Sequence, residues 1–463
     1  MLNVIRKKYI GDKNFYKILF KISLPIIMQN ALSNFVNLLD NIMVGRLGTE
    51  EMSGVSIVNQ ITFVYYLLIF GGLSGVGIYT AQYFGNNDDE GVRNTFRFKL
   101  WLGFIICIVS ALILLLFGQS LIQKFLNGSN DGGDLVATLN YALSYMGIII
   151  FMLPAVYIGM LYSSTMRECG ETFIPMLAGG VAVVLNCVLD YLLIFGKFGL
   201  PRMGVAGAAI ATVIARYVEM LIVVGWAYFN RFKHTYFVGM FRTILVPEDL
   251  AKKYFITSMP LLLNEGLWSI GVALLAQAYS IRGLNVVAGQ NIASTINNIF
   301  NIIFIAMGDA VAILVGQYLG SGDMEKARDT DNKIIAFAIF SSVIIGGVML
   351  ILAPIFPQFY NTNDTARMIA THFIMVQGFF MAKDAFLHTS YFTIRAGGNT
   401  VITFVFDSVF MMVVSVPFAH FLCRCTNLGI SHIFAMVHAA DLLKCIFGFI
   451  LLYKGVWLKN IVK

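Results

Sequence analysis

The chain has 463 residues, of which 58% are hydrophobic and only 12% are charged, and its mean hydropathy is +0.78. A soluble globule needs more polar surface than this, so the composition excludes one and predicts a polytopic membrane protein. The formal net charge of +7 does not indicate nucleic-acid binding, because Lys and Arg lie between apolar runs and form no basic patch on a folded domain.

Apolar runs bounded by charged or turn residues predict about twelve spans. They lie near residues 20–44, 52–82, 97–118, 138–162, 172–196, 204–228, 254–280, 287–318, 334–354, 368–392, 400–422 and 429–453. The basic leader before the first span lacks a small-residue cleavage site and is expected to stay on the cytoplasmic side. Lys and Arg are roughly threefold more frequent in segments on that side, which predicts that both termini are cytoplasmic.

A charged interruption at residues 234–253 divides the chain into halves that repeat each other. At a constant offset the second half matches the first in Pro25 and Pro260, Gln82 and Gln317, and Gly85 and Gly320. Six spans per half give both copies one orientation, related by an axis along the membrane normal, as in transporters with a cavity between two bundles. The predicted organisation is a leader at 1–19, a six-helix lobe at 20–228, a cytoplasmic linker at 229–253, a second six-helix lobe at 254–453 and a cytoplasmic tail at 454–463.

One carboxylate, Asp40, lies inside the first predicted span, between Lys21 and Arg46. An aspartate there costs about 2.5 to 3.5 kcal/mol on insertion scales, so it is normally retained for a partner, a cavity or an ion. At about 1.5 Å per residue, Asp40 lies roughly 9 Å below Arg46, in the outer half of the membrane.

Further polar residues are predicted at the same depth. Asn186 and Asp190 are four residues apart in span five and share a helix face, and Thr212 lies about as deep in span six. With Asp40 they offer only oxygen ligands, which suit a hard cation, while paired carboxylates also suit a shared proton. The alternative is a buried polar cluster that only fixes helix packing.

The second half carries its carboxylates elsewhere, because Leu275 stands at the position equivalent to Asp40. Glu265 and Asp384 are both expected about 17 Å from the cytoplasmic side. They predict a site for a proton or a cationic substrate. Alternatively, Lys383 pairs with Glu265 and the cluster is a structural ion pair.

Other polar groups in the spans are weaker signals. Asp407 is expected to fix helix packing, and Asp441 is expected to pair with Lys444. Flexible Met, aromatic and amide side chains either line a cavity for varied apolar cations or serve only in packing. The candidates for cavity lining are Met28, Gln60, Phe63, Tyr65, Tyr66, Trp268, Gln290 and Asn291.

Several motifs, taken in order, resemble those of the multidrug and toxic compound extrusion (MATE) transporters over nearly the whole chain. They are P-x14-D-x4-G-R-L-G in span one, AQYFG and GQYLG at the ends of spans two and eight, LNCVLDYLLIFG followed by GVAGAAIAT, MRECGETFIPM, TIRAGGNT and the terminal KGVWLKNI. The resemblance implies twelve helices in two six-helix lobes and export of cationic, amphipathic drugs against a sodium or proton gradient.

The resemblance also implies roles for particular residues. The first-lobe cation site would comprise Asp40, Asn186, Asp190, Ala208 and Thr212. Asp384 matches a second-lobe acid that one branch of the family uses. Glu265 resembles the seventh-helix acid of that branch only loosely, because it lies closer to Pro260.

We therefore expect an all-α secondary active antiporter, not an enzyme, that is a monomer in a bacterial plasma (inner) membrane. Its expected partners are small cationic substrates, Na⁺ or H⁺ and the lipid bilayer, without nucleic acid. The six scattered cysteines predict no disulfide framework or metal site, and no cofactor is expected. The alternative hypothesis is a lipid-linked oligosaccharide flippase of the same superfamily, which would need a cationic cavity for pyrophosphate, with Lys383 as the main intramembrane candidate.

Overall fold

The structure, a computed structural model, describes residues 8–126 and 134–463. These residues are mostly helical, and no strand occurs among them. The helices are α1 (Lys13–Gly45), α2 (Thr49–Gly85), α3 (Asp89–Leu126), α4 (Leu135–Ile149), α5 (Met152–Glu168), α6 (Phe173–Phe195), α7 (Val205–Phe229), α8 (Glu248–Ser280), α9 (Leu284–Ser321), α10 (Met324–Leu352), α11 (Asp364–Ala396), α12 (Thr400–Phe404), α13 (Val416–Cys425) and α14 (Ile430–Tyr453). Short 3₁₀ turns lie at Thr235–Phe237 and Phe356–Phe359.

Ten helical segments in the described ranges are long and apolar enough to cross a membrane, counting residues 400–425 as one, and there are eleven if the bent pair of α4 and α5 is counted as one span. The twelfth long helix, α11, is more polar because it carries several charged residues and two histidines. The prediction of an all-α polytopic membrane protein with about twelve helices is confirmed.

Two predicted spans are less regular than the sequence pattern suggested. The predicted helix at 138–162 consists of α4 and α5, which meet at an angle of 49°. Pro154 lies in the first turn of α5, and it has no N–H to continue a straight helix from α4. In the predicted span at 400–422, residues 405–409 and 411–415 are π-helical. Pro417 follows them and cannot donate the hydrogen bond that an α-helix would make to the carbonyl of Val413, four residues earlier.

The helix boundaries repeat with the register found in the sequence. The helices α8, α9 and α10 each begin 235 residues after α1, α2 and α3, respectively. Helices α1 and α8 both contain 33 residues and carry an internal proline at the same position, Pro25 and Pro260. The internal repeat is therefore a repeat of structure.

The chain forms two compact units. One, here called the C unit, comprises Met1–Ile27, Ala81–Asp88 and Phe255–Lys463. The other, the N unit, comprises Met28–Thr80 and Asp89–Tyr254. The predicted lobes follow chain order, whereas residues 20–27 and 81–88 group with the second half of the chain.

In the N unit, the connection between α7 and α8 lies along α3. Three α3 side chains, spaced four residues apart on one helix face, donate hydrogen bonds to its main-chain carbonyls. They are Arg93 to Thr235 (3.5 Å), Arg97 to Met240 (3.0 Å) and Trp101 to Ile244 (3.0 Å). We call residues 235–244 the strap. Part of the linker predicted at 229–253 is thus a docked segment with defined partners.

In the C unit, the two copies of the repeated Q-Y-x-G motif cross at van der Waals contact. A Cβ at Gly85 would lie 1.9 Å from the carbonyl oxygen of Gln317, and a Cβ at Gly320 would lie 1.9 Å from that of Gln82. Only glycine permits so close an approach of two backbones.

The predicted tail at 454–463 is folded onto this crossing. The Trp457 side chain is buried, with 2% of its surface exposed. Asn460 donates to the carbonyl of Gly320 (2.8 Å), and the Ile461 N–H donates to the Gln82 side chain (2.9 Å). The tail is therefore part of the C unit.

Candidate cation-binding site

The two acidic side chains singled out in the first half of the sequence meet inside the N unit. Asp40 on α1 and Asp190 on α6 lie within hydrogen-bonding reach of each other. Asp190 is 1% exposed, and the Oδ1 atom of each carboxyl group is buried without a hydrogen-bond donor. Two carboxylates in this position repel each other unless a proton or a cation lies between them.

Asn186 and Thr212 lie beside this pair, as the spacing predicted. Asn186 is one turn before Asp190 on α6 and is buried, and its side-chain amide lies 3.5 Å from the hydroxyl of Thr212 on α7. The Thr212 hydroxyl donates to the carbonyl of Ala208 (3.0 Å), which leaves its lone pairs free to accept. Ala208 thus orients Thr212 through its main chain. The small, buried side chain of Ala208 lets α7 pack closely.

Tyr145 on α4 joins the site, although the sequence gives no signal for it. Its ring is buried, and its hydroxyl lies 3.3 Å from Asn59 on α2 and within hydrogen-bonding reach of Thr212. It is also close enough to both Asp40 and Asp190 to interact with their charges. A single tyrosine in an apolar run is ordinary, so only the fold identifies this one.

A cation, Arg216 on α7, acts on the pair from a distance. Its guanidinium forms an ion pair with Glu219 at 2.8 Å and lies 5.8 Å from the centre of the Tyr66 ring. These three residues and Gln29 line a cavity of about 60 Å³ in the N unit. Such a volume holds more than one water molecule. Arg216 is paired with Glu219 and donates no hydrogen bond to the buried Oδ1 atoms of Asp40 and Asp190, so the carboxyl pair keeps its need for a proton or a cation.

The donor set around Asp40 and Asp190 consists of carboxylate, amide and hydroxyl oxygens. Hard cations such as Na⁺ prefer oxygen ligands, and a carboxyl pair equally holds a single proton. The geometry therefore supports reversible uptake of one monovalent cation or proton and no covalent chemistry by these residues.

In the C unit, Lys383 does not pair with Glu265, so the alternative of a structural ion pair between these two residues is wrong. Its ammonium lies 2.7 Å from Asp384 and 3.2 Å from Asp441 on α14. Sequence spacing places these residues on their helices, but the rotation of one helix against another decides which side chains meet. Glu265 interacts instead with the charges of Arg395 and Asp407.

Asp407, treated above as a weak signal, lies at the centre of a polar network on the π-helical segment. Lys444 donates to its Oδ1 atom at 2.7 Å, and Asn264 on α8 donates to its Oδ2 atom at 3.2 Å. Ser408 donates to the Asn264 side chain at 2.7 Å. The predicted pair of Asp441 with Lys444 is therefore wrong. π-Helical turns often occur at functional sites, and a lengthened turn is not visible in a sequence pattern.

Among the residues proposed to line a cavity, Tyr65 is placed differently. It is 3% exposed, and its hydroxyl donates to the carbonyl of Leu153 at 2.7 Å, so it serves packing in the N unit. Met28, Gln60, Phe63, Trp268 and Asn291 are exposed, while Gln290 is half-buried. Their contact with a substrate stays a prediction.

Residues 25–192 and 260–421 match the MatE family. The chain belongs to this family. The resemblance to the MATE transporters is confirmed, and the chain is a multi-pass membrane transporter and not an enzyme.

Relatives of the MATE chain agree with this assignment. It is 24% identical over 454 residues to the probable multidrug resistance protein NorM of Thermotoga maritima, covering 96% of this chain and 94% of that one. It is 26% identical over 398 residues to the multidrug resistance protein PmpM of Pseudomonas aeruginosa, covering 84% and 80%. A MOP superfamily transporter from Pyrococcus furiosus has the same fold, with a TM-score of 0.82, 20% identity and coverage of 98% and 97%.

Proposed function

We propose that this MATE transporter is a secondary active antiporter that exports cationic, amphipathic drugs or toxic organic compounds in exchange for Na⁺ or H⁺. The observation that carries the proposal is the pair formed by Asp40 and Asp190, in which the Oδ1 atom of each carboxyl group is buried without a donor. The names of the relatives as multidrug resistance proteins support the substrate class.

In the proposed cycle, a proton or Na⁺ from outside enters between Asp40 and Asp190 and removes their mutual repulsion. The oxygens of Asn186, Thr212 and Tyr145 complete the surroundings of Na⁺, or hydrogen-bond to the protonated pair. Exchange requires that the neutralised and the charged pair favour different conformations of the protein. Neutralisation then favours release of substrate outward and return of the emptied carrier.

The experiment is ethidium efflux from proteoliposomes, with a sodium gradient and a pH gradient imposed separately. Acceleration by sodium alone assigns the Asp40 pair to Na⁺, and acceleration by the pH gradient alone assigns it to H⁺. We expect Asp40→Asn to lower efflux to the rate of protein-free liposomes, because the variant retains only one of the two carboxylates.

The matched control is Asp364→Asn, since the Asp364 side chain is 98% exposed at the start of α11. This variant should keep the efflux of the unmodified protein. Efflux at the unmodified rate by folded Asp40→Asn protein would contradict the assignment of the pair. Absence of efflux by the unmodified protein under both gradients would contradict the antiporter proposal itself.

The flippase alternative loses its main candidate residue. Lys383 is held between two carboxylates of the C unit, so its charge is not free to bind pyrophosphate. We further propose that the transporter is a monomer in the inner membrane and that both of its termini lie in the cytoplasm. The distribution of Lys and Arg supports the placement of the termini. Labelling of single cysteines introduced at the two ends of the chain in intact cells tests this topology.

A further inference from the structure

Lys383 makes an unusual set of contacts for a lysine inside a span. Its side chain is 5% exposed, and its ammonium lies 2.7 Å from Asp384 Oδ1 and 3.2 Å from Asp441 Oδ2. The carbonyl oxygen of His438 accepts a third hydrogen bond at 3.3 Å. The Phe380 ring covers the ammonium, with 5.4 Å between the nitrogen and the ring centre. Three oxygens and a ring face thus surround one positive charge.

The groups around the ammonium also have the arrangement of a metal-ligand set. Ligand atoms of Asp384, His438 and Asp441 all lie within 4.8 Å of one another. The Nδ1 atom of His438 is buried and has no hydrogen-bond partner. Ser415 lies 3.4 Å from Asp441 Oδ1, the oxygen that does not contact Lys383, and so supports the orientation of that carboxylate.

We propose that Asp384, Asp441 and His438 form a cation site in the C unit, and that the ammonium of Lys383 is its tethered occupant. Two carboxylates carry a charge of −2, of which the ammonium cancels half. Without the ammonium, two carboxylate oxygens and an imidazole nitrogen match the ligands and the charge that a divalent transition metal prefers.

The tether explains why this site is closed to ions in solution. Lys383 precedes Asp384 on the same helix, so its ammonium is present at a high effective concentration that a dissolved cation must overcome. Asp384 and Asp441 are then unavailable to the coupling ion. The binding site itself does not depend on the proposed transport function, because it is measured without a gradient.

The experiment compares Lys383→Ala with the unmodified full-length protein in detergent. Co²⁺ is added, and binding is followed by calorimetry and by the visible absorption of the bound ion. We expect one Co²⁺ per chain in the variant and no measurable binding to the unmodified protein. Adding His438→Ala to Lys383→Ala should weaken binding at least about tenfold, since an imidazole ligand is lost.

The matched control is Lys444→Ala, which removes another lysine of the same unit that pairs with a carboxylate. This control should bind no Co²⁺, because within the described residues the ligand atoms that lie close enough together to hold one ion are those of Asp384, His438 and Asp441. If Lys383→Ala does not fold, Lys383→Gln keeps the length of the side chain and removes the charge. Absence of Co²⁺ binding by a folded Lys383 variant, or equal binding by the unmodified protein, would overturn the proposal.

Discussion

Replacement of Lys99 tests how the N unit holds a positive charge away from water. The Lys99 side chain is 0% exposed, and its ammonium pairs with Glu168 on α5, whose side chain is 15% exposed. The hydroxyl of Thr165 lies 3.5 Å from the same ammonium. A Cβ at Gly77 would lie 2.1 Å from the Glu168 carboxylate, so α2 approaches the pair as closely as glycine allows.

The expected loss of stability depends on which charge of the pair is left without a partner. Removing one partner of a buried pair costs about 3–5 kcal/mol, whereas replacing both partners is often nearly neutral. Glu168→Gln leaves the fully buried ammonium without a counter-ion, so we expect a loss of about 3–5 kcal/mol in the free energy of unfolding. Lys99→Met should cost less, because Glu168 reaches water. The double variant should recover at least about 2 kcal/mol of the summed loss.

The assay is unfolding in mixed detergent and SDS micelles, followed by tryptophan fluorescence. The matched control is Asp364→Asn in α11, since the Asp364 side chain is 98% exposed and pairs with Arg367, which is 36% exposed. An exposed pair within one helix contributes only about 0.3–0.5 kcal/mol. Strictly additive effects of the Lys99 and Glu168 variants, or a Lys99 effect as small as the control, would refute the reasoning.

Two further predictions concern the strap and the helix crossing. Arg97→Ala removes the side chain that holds the middle of the strap. Trypsin should therefore cleave the folded Arg97→Ala protein at Arg242 faster than it cleaves the unmodified protein or Arg424→Ala, which is the control. Equal cleavage rates would contradict the docking of the strap. Gly320→Ala places a Cβ 1.9 Å from a main-chain oxygen and should lower stability by at least about 1–3 kcal/mol. Gly347→Ala should change stability little, because no atom lies within 4 Å of the added Cβ. Equal losses in the thermal midpoint of the Gly320→Ala and Gly347→Ala proteins would argue against the crossing.

The sequence was sufficient for features that depend on composition and spacing along one helix. The long apolar runs predicted the helices, and the constant offset between the halves predicted that α8 to α10 repeat α1 to α3. Asp40 and Asp190 were found because a carboxylate in an apolar span is expensive and because equal depth can be counted in residues. Their predicted proximity agrees with the structure.

Features that depend on the rotation of one helix against another could not be predicted in this way. Lys383 can reach several carboxylates from its depth, and only the packing of α11 against α14 brings Asp441 to it beside its sequence neighbour Asp384. Tyr145 enters the N-unit site because α4 packs beside α2 and α7, which brings its hydroxyl within reach of Asn59 and Thr212. The π-helical turns place Asp407 and Ser408 in register with Asn264, a register that regular helical spacing does not give.

The contact between the two Q-Y-x-G motifs has local two-fold symmetry, like the interface between the subunits of a homodimer. Gly85 meets the backbone at Gln317, and the equivalent Gly320 meets the backbone at Gln82, so the contact is isologous. A substitution at either glycine therefore disturbs one of two matched contacts. The two halves can therefore differ elsewhere, as they do at Asp40 and Leu275, provided that each half keeps the glycine against which the backbone of the other half packs.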